Sequence, residues 1–233
     1  MRIAALVALL ALSLTLFVLF PDLDIATSRL FYDGAIFPIA NSRPIEALRR
    51  VLYAAEDLMA LFTVAALMMA THRKAPVLNQ SARDWLFQLS IFLLGPGLMV
   101  NLILKPLWGR VRPYHITDFG GPDPFTPVWT LSHQCLKNCS FPSGEMAGAM
   151  ALTITLMMIL HANPSANPYR LGQAAALSLP LVTAWQRIAA GRHFLSDILF
   201  SALAVPLIAA LLALLFYPEK PRLTAVDIPP DSP

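Results

Sequence analysis

Six stretches of this chain run the length of a membrane crossing with almost no charge: 3–20, 51–70, 85–107, 144–161, 171–186 and 198–217. Each is close to the ~20 residues with which a helix crosses about 30 Å of hydrocarbon. Within lipid every backbone N–H and C=O must find an internal partner, so a run of this kind is read as a helix. The overall balance agrees, with 57% hydrophobic and 13% charged residues, against roughly a quarter charged in soluble domains. The net charge of +3 is small and scattered, which argues against nucleic acid as a partner. The expected fold class is all-α, a polytopic membrane protein of six transmembrane helices.

Residues 3–20 are too long for the apolar core of a signal peptide, and no small-residue cleavage site precedes Asp22 and Asp24. They are read as a retained first helix. Gly95-Pro96-Gly97 predicts a kink in the third stretch, and Pro180 interrupts the fifth. Both are tolerable where neighbouring helices satisfy the freed backbone. Ala147, Gly148, Ala149 and Ala174 to Ala176 would let helices approach closely. Residues 1–217 form one expected domain, and 218–233, with Pro229, Pro230 and Pro233, a short disordered cytoplasmic tail.

Six crossings put both termini on one side. Residues 21–50, 108–142 and 187–194 then share the opposite face. With the termini inside, Arg2, Arg73, Lys74, Arg83, Arg170, Lys220 and Arg222 lie inside. The outer face holds Arg29, Arg43, Arg49, Arg50 and Lys137, besides five cations that fall in the motifs below. Leaving those five aside, the positive-inside rule favours cytoplasmic termini. Cys135 and Cys139, four apart in a polar segment of the outer face, admit two readings. One is a short bridged loop in an oxidising compartment. The other is half of a metal site, for which Gln134, Lys137 and Asn138 are poor fellow ligands.

Three charged segments fall on that face at helix ends. They are Lys105-Pro-Leu-Trp-Gly-Arg110-Val-Arg112-Pro113, Pro142-Ser143-Gly144-Glu145, and Arg187-Ile-Ala-Ala-Gly-Arg192-His193-Phe-Leu-Ser-Asp197. Their chemistry suits a phosphoryl group. Arginine forks match pairs of phosphate oxygens. Ser143 and Gly144 open a helix, whose free N–H groups and positive dipole end attract anions. His193 and Asp197, four apart, would share a helix face. Asp197 could then accept the Nδ1 proton and leave Nε2 as a nucleophile. Taken singly, each residue has an ordinary explanation: interfacial cations, an N-cap serine, a first-turn acid, a structural His–Asp pair. Their joint placement at membrane-helix ends carries the functional reading. Glu56 and Asp57 could face the site, although pairing with a neighbouring cation explains them as well. Arg110 is a further candidate for a phosphate.

Lys-x6-Arg-Pro at Lys105 and Arg112-Pro113, Pro-Ser-Gly at 142–144, and Arg-x5-His-x3-Asp at Arg187, His193 and Asp197 resemble the three signatures of the type 2 phosphatidic acid phosphatases. The resemblance implies a six-helix membrane bundle and a metal-independent phosphohistidine mechanism without a cofactor. By position, Lys105, Arg112 and Arg187 would clamp the phosphate with Ser143 and Gly144. His193 would attack phosphorus and Asp197 would orient it. There are two departures. Glu145 stands where the family usually has a histidine acting as general acid, and Gln186 where it often has serine. A carboxyl group can donate only while it holds a proton, and nearby arginines favour its ionised form.

Phe20-Pro-Asp-Leu-Asp-Ile25 with Phe31-Tyr32, Gly95-Pro-Gly-Leu-Met-Val-Asn101, and Gln134-Cys-Leu-Lys-Asn-Cys-Ser-Phe141 are similar to the lipid A 4′-phosphatase branch of that family. There too an acidic residue follows the glycine, and Glu145 is expected to act as the acid. This resemblance implies a lipid A substrate, and an active site on the periplasmic face of a bacterial inner membrane. Undecaprenyl diphosphate, phosphatidylglycerophosphate, the lipid A 1-phosphate, or another phospholipid would present the motifs with the same phosphate. A non-catalytic lipid binder on the same bundle is the rival of another class.

Overall fold

The structure is a computed structural model that describes residues 3–164 and 169–218. The described residues are helical with no strand, only isolated bridges at Val77–Gln80 and Ile116–Asp123. The principal helices are α1 (Ile3–Leu19), α2 (Asp22–Arg29), α3 (Arg43–Arg73), α4 (Ala82–Phe92), α5 (Lys105–Trp108), α6 (Gly144–Ala162), α7 (Tyr169–Ala189) and α8 (Leu195–Phe216). The expected tail beyond Pro218 lies outside the described residues.

Four segments are long and apolar enough to cross a membrane: Arg43–Arg73, Ala82–His115, Gly144–Ala162 and Leu195–Phe216. α1 and α2, bent by 88° at Phe20-Pro21, raise the number to five if taken as one span. α7 has 21 residues but is not among them. The outer surfaces are apolar. Leu12, Leu58, Leu61, Leu102, Leu181 and Leu215 are each at least 65% exposed. A water-soluble monomer rarely exposes a contiguous apolar surface on that scale, so the protein is a multi-pass membrane protein.

Local sequence explains the boundaries. α3 begins with Pro44 in its first turn and ends at Lys74, whose φ of 50° is left-handed. It starts well before the expected apolar run at 51, because Glu46 pairs with Arg49 at 3.1 Å and with Arg50 at 3.4 Å along one helix face. α4 opens on a reciprocal capping box between Ser81 and Asp84. Pro96 lacks an N–H and would clash in a regular helix. Here Leu93–Leu104 winds as a π-helix, and the Asn101 side chain donates through Nδ2 to the Pro96 carbonyl at 2.8 Å.

α6 is the central helix, packed against α3, α7, α8 and the π-helical stretch. Ala147, Ala149 and Ala151 are buried in these contacts. Small side chains allow close approach where no hydrophobic drive separates protein from lipid. At one end of the bundle, Phe37, Val111, Ile116, Phe119 and Phe194 form a cluster that closes the outer loops over the start of α8. That end carries all three motifs.

Candidate phosphate site

His193 lies in the short turn between α7 and α8 and is 2% exposed. Burial, reinforced by the charges of Arg112 and Lys105, brings its pKa down from 6.5 to about 4, while Asp197 pulls the other way. The ring is therefore neutral near pH 7, the form that can attack phosphorus. Its Nδ1 stands 3.6 Å from Asp197 Oδ2, a close approach without a formed hydrogen bond.

The Asp197 carboxylate is fixed from other directions. Oδ1 accepts from Arg110 Nη1 at 2.6 Å, and Oδ2 accepts from the Ser140 hydroxyl at 2.5 Å and the Phe194 amide at 2.9 Å. Arg110 was a candidate phosphate ligand; instead it is fully buried and fully engaged. Nη2 bonds Asp24 at 2.8 Å, Nη1 also reaches the Ser196 hydroxyl at 2.8 Å, and Nε donates to the Thr126 carbonyl at 2.9 Å. Asp24 in turn accepts from the Ser196 amide at 2.9 Å. One guanidinium thus ties α2, the long loop and the first turn of α8 together.

Ser143 caps α6, its hydroxyl accepting from the Met146 amide at 3.3 Å. The motif brings Lys105 to the same helix end. A Cβ added to Gly144 would stand 3.3 Å from Lys105 Nζ, so the glycine keeps that approach open. Arg112 is held by the loop, donating to the Asn138 carbonyl at 3.0 Å and to its side-chain oxygen at 2.9 Å. Asn138 sits between Cys135 and Cys139, whose Cα atoms are 5.5 Å apart, within the usual range for bridged cysteines.

Glu145 faces cations on two sides. Arg187 Nη1 is 2.8 Å from Oε2, and Arg49 Nη2 is 2.9 Å from Oε1. A carboxylate accepting from two guanidiniums is an acceptor and not a proton donor. This arrangement speaks against the general-acid role expected for Glu145. Arg49 was not singled out as a site residue. It precedes Glu56 by seven residues, two helical turns along one face, and that spacing was the available signal.

Glu56 was expected to pair with a cation if it did not face the site. It is 8% exposed, and among the described residues it has neither salt bridge nor hydrogen bond. With Arg49, Tyr53, Glu145 and Gln186 it lines a cavity of about 10 Å³. It also lines a groove of about 590 Å³ between α3 and the π-helical stretch. That groove runs from Gly144 and Asn101 past Glu56 and Gly148 to Leu61, Val64 and Leu93.

The site therefore offers a buried neutral imidazole, an oriented carboxylate and three cationic side chains at a helix N-terminus, opening onto an apolar groove. Comparison with known proteins points the same way. A "Lipid A 4′-phosphatase" of Rhizobium leguminosarum is 32% identical over 216 residues, covering 86% of this chain and 91% of the relative. A protein of the same name from Rhizobium etli is 32% identical over 216 residues, covering 86% and 82%. The crystal structure of a PAP2-type phosphatidylglycerolphosphate phosphatase from Bacillus subtilis superposes with a TM-score of 0.57 at 19% identity, covering 91% of this chain and 94% of that one. The profile of the PAP2 superfamily matches residues 85–221, which include all three motifs. The chain belongs to the PAP2 superfamily of membrane lipid phosphatases.

Proposed function

We propose that this protein removes the 4′-phosphate of lipid A through a histidine-bound phosphoryl intermediate. The observation that carries the chemistry is the buried, neutral His193 beside Asp197, at a helix N-terminus flanked by Lys105, Arg112 and Arg187. The choice of substrate is supported by the relatives of that name, which align over most of the chain.

Lys105, Arg112 and Arg187 hold the phosphate oxygens, with the Gly144 N–H and the Ser143 hydroxyl completing the cradle. His193 Nε2 attacks in line, and its bond to phosphorus forms as the bond to the sugar oxygen breaks. Asp197 holds the ring orientation and stabilises the charge it develops. Charge on the equatorial oxygens is met by the preplaced donors. Water then displaces the histidine and releases phosphate. At rest Glu145 occupies Arg187, and the arriving phosphate takes its place there.

With α1 and α7 counted as crossings the chain has six, and the motif-bearing end faces the periplasm of a bacterial inner membrane, an orientation that the balance of cations outside the motifs supports. A Cys135–Cys139 bridge belongs in that oxidising compartment and keeps Asn138 on Arg112. The test is mass analysis of lipid A incubated with the purified protein. Loss of one phosphate from the 4′ position is the expected result. Release only from the 1 position, from phosphatidylglycerophosphate or from undecaprenyl diphosphate would overturn the substrate and keep the enzyme class. Release from none of them would leave a lipid-binding protein.

A further inference from the structure

The proposed reaction needs a proton for the departing sugar oxygen, and the residue in the usual position cannot readily give one, because Glu145 is engaged by Arg49 and Arg187. A second carboxyl group stands beside it. Glu56 comes from α3, is more than nine-tenths buried, and lines both the small cavity it shares with Glu145 and the apolar groove. No lysine, arginine or histidine nitrogen lies within 4.0 Å of it among the described residues, although Arg49 borders the same cavity. The other ionisable groups bordering the two spaces are Tyr53 and Asp57. An isolated buried carboxylate beside another carboxylate is expensive, whereas the neutral acid needs no counter-charge.

The backbone is shaped around this side chain. A Cβ on Gly148 would lie 2.1 Å from Glu56 Oε2, so a larger residue at this position of α6 would displace the carboxyl group from where it now sits. Gly148 is one helical turn below Gly144, where the phosphate is to bind. A lipid phosphate at the α6 N-terminus, with its leaving group extending down the groove, passes Glu56 at the first step away from phosphorus. His193 comes from a different part of the chain, the turn between α7 and α8.

We propose that Glu56 is the proton donor to the leaving oxygen, with Glu145 kept anionic by Arg49 once the phosphate has taken its place on Arg187. The proposal rests on the phosphatase reading above. In the first step the His193 Nε2–phosphorus bond forms, the phosphorus–oxygen bond to the sugar breaks, and the Glu56 proton passes to that oxygen. In the second step water attacks phosphorus, the nitrogen–phosphorus bond breaks, and the Glu56 carboxylate takes the proton from water. The acid is thereby regenerated.

The test compares two phosphate esters with the purified full-length protein and its Glu56→Gln variant, which keeps size and shape but has no acidic proton. One ester is lipid A, whose sugar alkoxide leaves badly unless protonated. The other is p-nitrophenyl phosphate, whose leaving group departs without help. Glu56→Gln should lower kcat on lipid A by about a hundredfold or more, the usual contribution of a general acid, with a loss on the aryl ester at least tenfold smaller. Gly148→Ala, which displaces the carboxyl group, should show the same selectivity. Equal losses on both esters in Glu56→Gln, or a loss under about threefold on lipid A, would overturn the donor role while leaving the phosphatase reading intact. If the unaltered protein releases phosphate from neither ester, that reading falls and this proposal with it.

Discussion

Arg110 and Asp197 form an ion pair of 2.6 Å in which neither side chain reaches solvent. Arg110 carries a second buried pair, to Asp24 at 2.8 Å. One cation thus pairs with two buried carboxyl groups and holds one face of Asp197, leaving Oδ2 toward His193. Replacing Arg110 by methionine would strand both acids. Loss of one partner from a buried pair typically costs about 3–5 kcal/mol. A large fall in thermal midpoint is expected, with loss of turnover in whatever remains folded. Arg110→Lys should fail similarly, because an ammonium cannot span Asp24, Asp197 and the Thr126 carbonyl at once. Thermal unfolding in detergent checks both.

His193→Ala should abolish turnover on any phosphate ester. A loss under about tenfold, roughly 1.4 kcal/mol, would remove His193 as the nucleophile. Trapping of a labelled phosphoryl group on the unaltered chain, absent in the variant, is the companion measurement.

The same residue sets a pH dependence of stability. Burial holds the folded pKa at about 4, below the ordinary 6.5. Between these values the unfolded chain binds a proton that the folded protein refuses, so stability falls as pH drops through that window. The full contribution is on the order of 3 kcal/mol. His193→Asn should lose less stability between pH 7 and pH 4.5 than the unaltered protein, as read from unfolding midpoints at each pH.

Glu145 is bound to Arg187 at 2.8 Å, where the proposed phosphate site requires the guanidinium to be free. Glu145→Gln should weaken that contact, and inorganic phosphate should then inhibit more strongly. A fall of about tenfold in its inhibition constant corresponds to roughly 1.4 kcal/mol. An unchanged constant would show that the two anions do not exclude each other.

Cys135→Ser should leave the chemical step largely intact, because neither sulfur belongs to the cradle. Its effect is expected on Arg112, which the Asn138 carbonyl and side chain hold in place. A rise of several-fold in KM with kcat nearly unchanged is the predicted pattern, and steady-state kinetics on lipid A would reveal it. A loss matching His193→Ala in a folded protein would make the loop part of the site.

The sequence by itself determined the helical membrane class and the three motifs that the family profile covers. Uncharged runs of spanning length have one solution in lipid. Lys105, Ser143, Arg187, His193 and Asp197 all lie within the range that the family profile matches. Helix boundaries were legible where polar signals mark them, as at Ser81 and Ser143. α3 begins eight residues ahead of its apolar run, because charged pairs rather than hydropathy extend it. What only the tertiary structure decided is how the charges are shared. Arg110 and Arg112 are two apart in one motif, yet the first closes a buried network with Asp24 and Asp197 and the second reaches the loop at Asn138. Glu145 and Glu56 are both acids at helix positions, but one faces two arginines and the other faces Gly148 with no cation in salt-bridge range among the described residues. Electrostatic pairing depends on distances between elements far apart in the chain, and no local pattern encodes those distances.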